Sequence, residues 1–340
     1  MNHKKITIND VARLSGVSKR TISRVINNSP KVGEATRVRI QKIIDELNYR
    51  PNPQARGLAA RRSYLLGLIY DNPDALYIND VQRGVLSVCR EFGYELVVHP
   101  CDMKDENLIL DAVGFASRSK LDGVIILPPV SENNDLAGGL AEANVNYVRL
   151  ASVALDSADH VVISNERSAA AAMAEYLVRL GHRRIGYIAG PKGMKSTRER
   201  LEGFCDALEK HGHKLGEDML ARGAYTFESG IECTRQLLAN PEPPTAIFAS
   251  NDEMAVGVIN AAQEMGLKVP DNLSVAGFDD SMLASRIIPS LTTIRRPVKE
   301  MARLATAKLI ASIDGREDDA GRVIIVEPAM IARNSTRSNA

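Results

Sequence analysis

Ile8-Asn9-Asp10-Val11-Ala12-Arg13-Leu14-Ser15-Gly16-Val17-Ser18-Lys19-Arg20-Thr21-Ile22-Ser23-Arg24-Val25-Ile26-Asn27 reads as two short helices joined by a tight turn. The first is expected to start at Asn9 or Asp10 and to point Val11, Ala12 and Leu14 inward. Gly16 supplies the turn, because a residue without Cβ accepts positive φ. Ser18 then offers its hydroxyl to a free backbone N–H at the start of the second helix. Ile22, Val25 and Ile26 fall at helical spacing and form a buried stripe. Lys19, Arg20, Ser23 and Arg24 are left on the opposite face, each able to reach a phosphate or a base edge. A helix-turn-helix reads DNA with the N-terminal side chains of its second helix, laid in the major groove. A structural helix pair with a solvated basic face is the alternative.

The charge distribution favours DNA. Residues 1–62 carry 14 Lys and Arg against 4 Asp and Glu, a net charge of +10. The other 278 residues carry 29 against 38, a net of −9, so a chain of net charge +1 joins a basic head to an acidic body. Concentrated positive charge binds the phosphate backbone through counterion release, and an acidic body does not compete for DNA.

At 340 residues the chain is long enough for several cores. No apolar run approaches the roughly 20 residues that span a bilayer, and no apolar secretory segment follows Met1-Asn2-His3-Lys4-Lys5. Cys89, Cys101, Cys205 and Cys233 lack metal-ligand or disulfide-framework spacing. A soluble cytoplasmic protein without cofactor or metal is expected.

Pro51 and Pro53 end the head, because neither continues a helix. The basic segment Gln54–Arg62 has one large apolar residue, Leu58, and is weakened by Gly57. It reads either as a solvated linker or as a hinge that becomes helical on DNA, with Leu58 wedged into the minor groove.

Beyond Ser63, apolar runs alternate with amphipathic stretches. Strands are predicted at 65–70, 95–99, 123–127, 147–150, 160–164, 185–189, 246–249, 274–278 and 323–326. Helices between them include 80–92, 105–119, 168–180, 197–211, 228–238 and 252–265. This alternation implies parallel sheets covered on both faces. The series restarts near residue 164, so two similar α/β lobes are expected, with a ligand cleft at the C-terminal strand ends.

Together these motifs resemble the lactose/galactose repressor family of bacterial transcription regulators over nearly the whole chain. The head carries Ile8-x-Asp10-Val11-Ala12, Val17-Ser18-x-x-Thr21-Ile22-Ser23-Arg24-Val25-Ile26-Asn27 and Glu46-Leu47-Asn48-Tyr49-x-Pro51-Asn52. The body carries Leu180-Gly181-His182-Arg183-Arg184-Ile185, Gly190-Pro191, Ser196-x-x-x-Arg200-x-x-Gly203-Phe204, Ser250-Asn251-Asp252 and Val275-x-Gly277-Phe278-Asp279-Asp280. The resemblance implies a helix-turn-helix head (1–49), a hinge helix (50–62) and a two-lobed core like that of periplasmic binding proteins (63–340). The first lobe would take about 63–163 and 294–325, the second about 164–293 and 326–340, with crossings near Ser164, Thr293 and Val326. It implies a homodimer on a near-palindromic operator, since no extra helix follows Arg333, and no membrane partner. Operator contacts are expected from Ser18, Lys19, Arg20, Thr21, Ser23, Arg24, Asn27, Tyr49, Asn52, Ala55 and Leu58.

The effector candidates are Asn72, Tyr77, Arg149, Arg200, Tyr225, Asn251, Asp279 and Arg296. Asn72 and Tyr77 flank the end of the first predicted strand, where the resemblance places ligand contacts, and it also assigns Arg200 to gripping the effector. As a structural residue Arg200 could equally pair with a carboxylate such as Glu199 or Glu202, but those lie on other helix faces. Asn251 offers both a donor and an acceptor to a polyol, or simply caps a helix. Asp279 suits ligand hydroxyls, with Asp280 capping the segment after it. Tyr225, in a chain without tryptophan, is a stacking platform or a core aromatic. Arg149 and Arg296 make the cleft more cationic than a neutral sugar requires, and Ala151 stands where some relatives carry a carboxylate.

The segment Gly190–Thr197 mimics a phosphate loop, but only two residues separate its glycines where four are needed, and Met194 stands where a lysine is needed. Neither a hydrolase elbow nor a metal motif is found. An enzyme is therefore not expected, and an uptake binding protein would not need a basic head. The expected function is repression of carbohydrate-utilisation genes, controlled by a small sugar-like effector. The alternative is a co-repressed regulator responding to an acidic sugar, a sugar phosphate or another small metabolite.

Overall fold

A computed structural model describes residues 6–26, 31–47, 49, 62–72, 74–316 and 322–339. The operator candidates Asn27, Asn52, Ala55 and Leu58, and nearly all of the expected hinge, lie outside the described residues. The chain divides into two compact units, Met1–Tyr64 and Leu65–Ala340.

In the head, α1 (Ile8–Ser15) starts a little earlier than expected, because the Asp10 carboxylate accepts the backbone N–H of Thr7 at 2.9 Å. It ends at Gly16, whose φ of 65° is the left-handed conformation the turn requires. Ser18 caps α2 (Lys19–Ile26), accepting Thr21 N–H at 3.2 Å. With α3 (Glu34–Glu46), these helices enclose Val11, Ile22, Val25, Ile40, Ile44 and Tyr49. Leu14 corrects the sequence reading: it is 58% exposed, and Ser15 is buried in its place. Residues 11 and 15 are four apart and share the inward face, whereas position 14 is turned about 100° away from it. The Ser15 hydroxyl is satisfied by Val11 O at 2.7 Å.

The larger unit contains two six-stranded sheets. The first runs β2 (Glu95–Pro100), β1 (Leu65–Tyr70), β3 (Gly123–Ile126), β4 (Asn146–Ala151), β5 (Val161–Ser164), β11 (Ile324–Val326), all parallel. The second runs β7 (Leu220–Arg222), β6 (Ile185–Ala189), β8 (Ala246–Ala249), β9 (Ser274–Asp279), β10 (Thr292–Arg295), β12 (Ala329–Ile331). Only β12, on β10, is antiparallel. The chain passes between sheets after Ser164, after Arg295 and after Val326. Helices α4 (Ala75–Phe92), α5 (Leu108–Arg118), α6 (Asn134–Glu142) and α12 (Val298–Asp314) pack with the first sheet and its helices. Helices α7 (Glu166–Arg179), α8 (Lys195–Lys210), α9 (Phe227–Leu238) and α10 (Asp252–Glu264) belong with the second, followed by the short α11 (Met282–Arg286). Among the described residues no helix is long and apolar enough to cross a membrane.

Each sheet reverses its strand order once, between β1 and β3 in the first lobe and between β6 and β8 in the second. Chain leaving neighbouring strands there departs in opposite directions and opens a crevice at their carboxyl ends. The loops after these four strands carry Asp71 and Asn72, Pro128 and Pro129, Gly190, and Ser250 and Asn251. Helix α4 begins at Ala75, five residues before the position read from periodicity, because the Asp74 carboxylate caps Leu76 N–H and Tyr77 N–H at 2.9 and 3.0 Å. That cap brings Tyr77 to the crevice.

His182 closes the C-terminal segment onto the second lobe. Its ring nitrogens sit 2.8 Å from Thr245 Oγ1, 3.1 Å from Ser274 Oγ and 3.2 Å from Arg337 O. Burial holds the imidazole below its ordinary pKa, only partly opposed by the Arg337 carbonyl. The unfolded chain therefore takes up this proton first, and stability should fall as pH drops through about 6.5. Denaturation at pH 7.5 and 5.5 checks this: the wild type should lose more stability than His182→Asn, and equal losses would contradict it.

Candidate functional site

On the head, Ser18, Lys19 and Arg20 are exposed, while Thr21, Ser23 and Arg24 are half-buried along the same helix. Tyr49 is different: it is 9% exposed and belongs to the head core. Its ring holds the helices together, which leaves at most the hydroxyl for a phosphate. Arg20 stands in the first turn of α2, where a guanidinium can reach a guanine edge. Arg20→Ala should weaken the best operator by about 1–3 kcal/mol and relax preference at one symmetric position. An unchanged selected motif would reduce Arg20 to a phosphate contact.

In the larger unit, the crevice is lined by Asp71, Asn72, Asp74, Tyr77, Pro128 and Pro129 from the first lobe. Met194, Ser196, Arg200, Tyr225, Asn251, Asp279 and Arg296 complete it. Seven of the candidates are thus brought together from loops scattered over more than two hundred residues.

A charged cluster forms its floor. Glu166, at the first crossing and 2% exposed, accepts Arg200 Nε at 2.7 Å and an Arg296 terminal nitrogen at 3.0 Å. Arg200 also donates to Ser250 O and lies 3.9 Å over the Phe278 ring. Burial alone would raise the Glu166 carboxyl, but Arg200 and Arg296 outweigh it and hold the group below its ordinary value. Asp279 stands 3.0 Å from an Arg296 nitrogen and 4.0 Å from Arg200. Burial pushes this carboxyl up, against the pull of the two arginines. Its φ of 111° lies in a region few side chains occupy.

The proximity of Asp279 to Arg296 does not give a complete set of hydrogen bonds. Asp279 Oδ1 and Arg296 Nε are both buried without an aligned partner among the described residues. Buried polar atoms are seldom left unpaired, so this ion pair at the crevice lining keeps spare hydrogen-bonding capacity. Arg296 also lies 4.8 Å over the Tyr77 ring. Burial raises the Tyr77 phenol to about 12, so it remains a neutral donor.

The opposite wall is rigid. Tyr225 takes φ 63°, its hydroxyl meets Thr197 Oγ1 at 2.8 Å, and its carbonyl accepts Asn251 Nδ2 at 3.0 Å. The ring passes so close to Gly190 that a Cβ there would collide with it. Asn251 is also the N-cap of α10, accepting Met254 N–H at 2.9 Å. Asn72 Oδ1 accepts Asp74 N–H at 2.8 Å and shapes the facing loop. Beneath Asp279, the buried Asp252 accepts Ser281 N–H and Thr293 Oγ1–H, both at 2.6 Å, pinning the loop that follows β9.

Arg149 corrects the sequence reading. It is 1% exposed and absent from the lining, its guanidinium directed to Ser131 O, Asn134 Oδ1, Leu155 O and Asp156. Asp280 does not cap: it is clamped by Arg295 and Arg333, each at 2.6 Å. Glu166 escaped the sequence reading, because an acid in the first turn of a helix looks like an ordinary dipole partner. Without Arg149, and with Asp71, Asp74 and Asp279 beside two arginines that Glu166 already bridges, the crevice has no surplus of positive charge.

The comparisons agree with this geometry. Residues 7–52 match the model of bacterial regulatory proteins, lacI family, and residues 174–336 match a periplasmic binding protein-like domain. The chain is 34% identical over 337 residues to the probable HTH-type transcriptional repressor ExuR of Bacillus subtilis (strain 168), covering 98% of both chains. It superposes on a lac repressor dimer bound to operator and the anti-inducer ONPF with a TM-score of 0.77, at 28% identity, covering 98% of this chain and 100% of that one. A complex of the transcriptional regulator CelR with cellobiose gives a TM-score of 0.73, also at 28% identity, over 97% and 99% of the two chains. The chain belongs to the lacI family of bacterial transcriptional regulators. It is a DNA-binding repressor with an effector-binding core, not an enzyme.

Proposed function

We propose that a small neutral carbohydrate binds the crevice and controls the grip of a homodimer on a near-palindromic operator in the bacterial cytoplasm. The observation that carries this reading is the buried Asp279–Arg296 ion pair in the crevice lining, whose Oδ1 and Nε have no aligned hydrogen bond among the described residues. A sugar hydroxyl both donates and accepts, so it satisfies the pair at once. An acidic sugar or a sugar phosphate is disfavoured, because Glu166 and Asp279 offset the charges of both arginines and Asp71 and Asp74 add two further acids to the lining. One solved relative, the CelR–cellobiose complex, supports the ligand class.

Thermal shift with a panel of neutral mono- and disaccharides, uronates and sugar phosphates tests this. A ligand at 100 times its Kd stabilises the folded chain by about 2.7 kcal/mol. Neutral sugars should raise the melting temperature; a response confined to uronates or phosphates would reverse the charge argument.

A further inference from the structure

Helix α8 carries Ser196 and Arg200 into the crevice, yet its own sequence gives it no cap. Met194 occupies the N-cap position and makes no side-chain hydrogen bond there. The first free N–H groups of the helix are satisfied from the other lobe. Glu132 accepts Lys195 N–H at 2.6 Å and Ser196 N–H at 3.2 Å. A carboxylate at that position also meets the positive end of the helix dipole.

Glu132 ends a short turn, Val130–Glu132, that continues from Pro128 and Pro129 in the wall of the crevice. The turn is fastened to the first lobe by the groups that remove Arg149 from the ligand. Arg149 Nε donates to Ser131 O at 2.6 Å, an Arg149 terminal nitrogen donates to Asn134 Oδ1 at 2.9 Å, and the Ser131 hydroxyl donates to Leu150 O at 2.6 Å. The neighbouring Asn133 is used locally, capping α6 through Asp135 N–H and Leu136 N–H. Glu132 therefore reaches the second lobe from a fixed base.

We propose that Glu132 is an interlobe latch, whose carboxylate on the α8 N-terminus holds the crevice closed before any ligand enters. Arg149 is then a positioning residue that acts through this turn. Closing the lobes completes the cap of α8, and opening them strips the helix of it. A charged hydrogen bond broken at a half-buried helix end is costly, which gives the closed arrangement a preference of its own. The burial that raises the Glu132 carboxyl, partly offset by the two N–H groups, agrees with a group held away from water.

The latch concerns the lobes alone and is read without ligand, so its failure would leave the effector reading standing. Spin labels carried by unnatural amino acids at exposed Glu142, in the first lobe, and exposed Glu209, in the second, report lobe separation in the full-length protein. Wild type, labelled in one protomer and diluted with unlabelled chain so that only intrachain pairs are read, should give one narrow distance distribution. Glu132→Ala should shift the distribution to longer separations, and Glu132→Gln, which keeps one acceptor, should fall between. Adding Met194→Asp to Glu132→Ala restores a cap to α8 from within its own lobe and should leave the lobes apart. An unchanged distance in Glu132→Ala, or full recovery with Met194→Asp, would overturn the latch and reduce Glu132 to a local cap.

Discussion

Glu166→Ala should destabilise the core by about 3–5 kcal/mol, because it leaves the guanidinium groups of Arg200 and Arg296 buried without their shared carboxylate. Those side chains are 4% and 10% exposed, and Asp279, the next acid, stands 4.0 Å from Arg200. Glu166→Gln should cost less, since the amide oxygen can still accept from one arginine. The order follows from hydrogen bonding as well as charge: losing an acceptor strands donors, whereas neutralising it weakens them. Denaturant unfolding of the full chain measures both variants. Equal stabilities for wild type and Glu166→Ala would mean that water replaces the carboxylate, so that the arginines are not held ready for a ligand.

Asp279→Asn should leave operator binding near normal and remove the response to the effector. Asparagine tolerates the positive φ found at this position better than most residues, so the loop after β9 should keep its course. What changes is the wall: an acceptor-only carboxylate becomes an amide whose orientation Arg296 and Arg200 decide. A ligand shifts a two-state equilibrium only by its differential affinity, so weakening its contacts in the closed state abolishes control without touching the head. Operator titration with and without sugar should show the wild-type change and none in the variant. A full response from Asp279→Asn would place the discriminating contact elsewhere in the crevice.

Much of this was legible in the chain because local chemistry and tertiary structure agree. Gly16 and Ser18 mark the turn and cap of the head, and β1, β6 and β8 occupy the apolar runs that predict them. Strands β7 and β12 were not read, since Leu220–Arg222 and Ala329–Ile331 lack the run of β-branched residues that marks the equally short β11. The early start of α4 was hidden because Asp74 caps a helix whose first turn lacks a clear apolar period. Most of the candidate lining residues could be found because they follow a strand or open a helix, and Arg200, inside α8, was found through the family resemblance. Their charge partners could not. Arg200 was weighed against Glu199 and Glu202 on its own helix, yet its carboxylate comes from Glu166 at the start of α7, just after the first crossing, while Glu202 pairs with Arg167. Arg149 misled for the same reason: Asp156 meets it from a loop and Asn134 from the first residue of α6, and both approaches depend on the packed sheet. Glu132 is the extreme case, an ordinary surface acid in sequence that meets a helix of the other lobe.

The most direct test of the account is calorimetry of the sugar identified by thermal shift, titrated into the full-length protein with and without its operator. If the crevice controls the head, DNA must change the affinity for the sugar by the same factor by which the sugar changes the affinity for DNA. For an inducer the account predicts weaker sugar binding on the operator, by about 1–3 kcal/mol. Identical affinities in the two titrations would contradict it, because the crevice would then bind its ligand without regulating DNA.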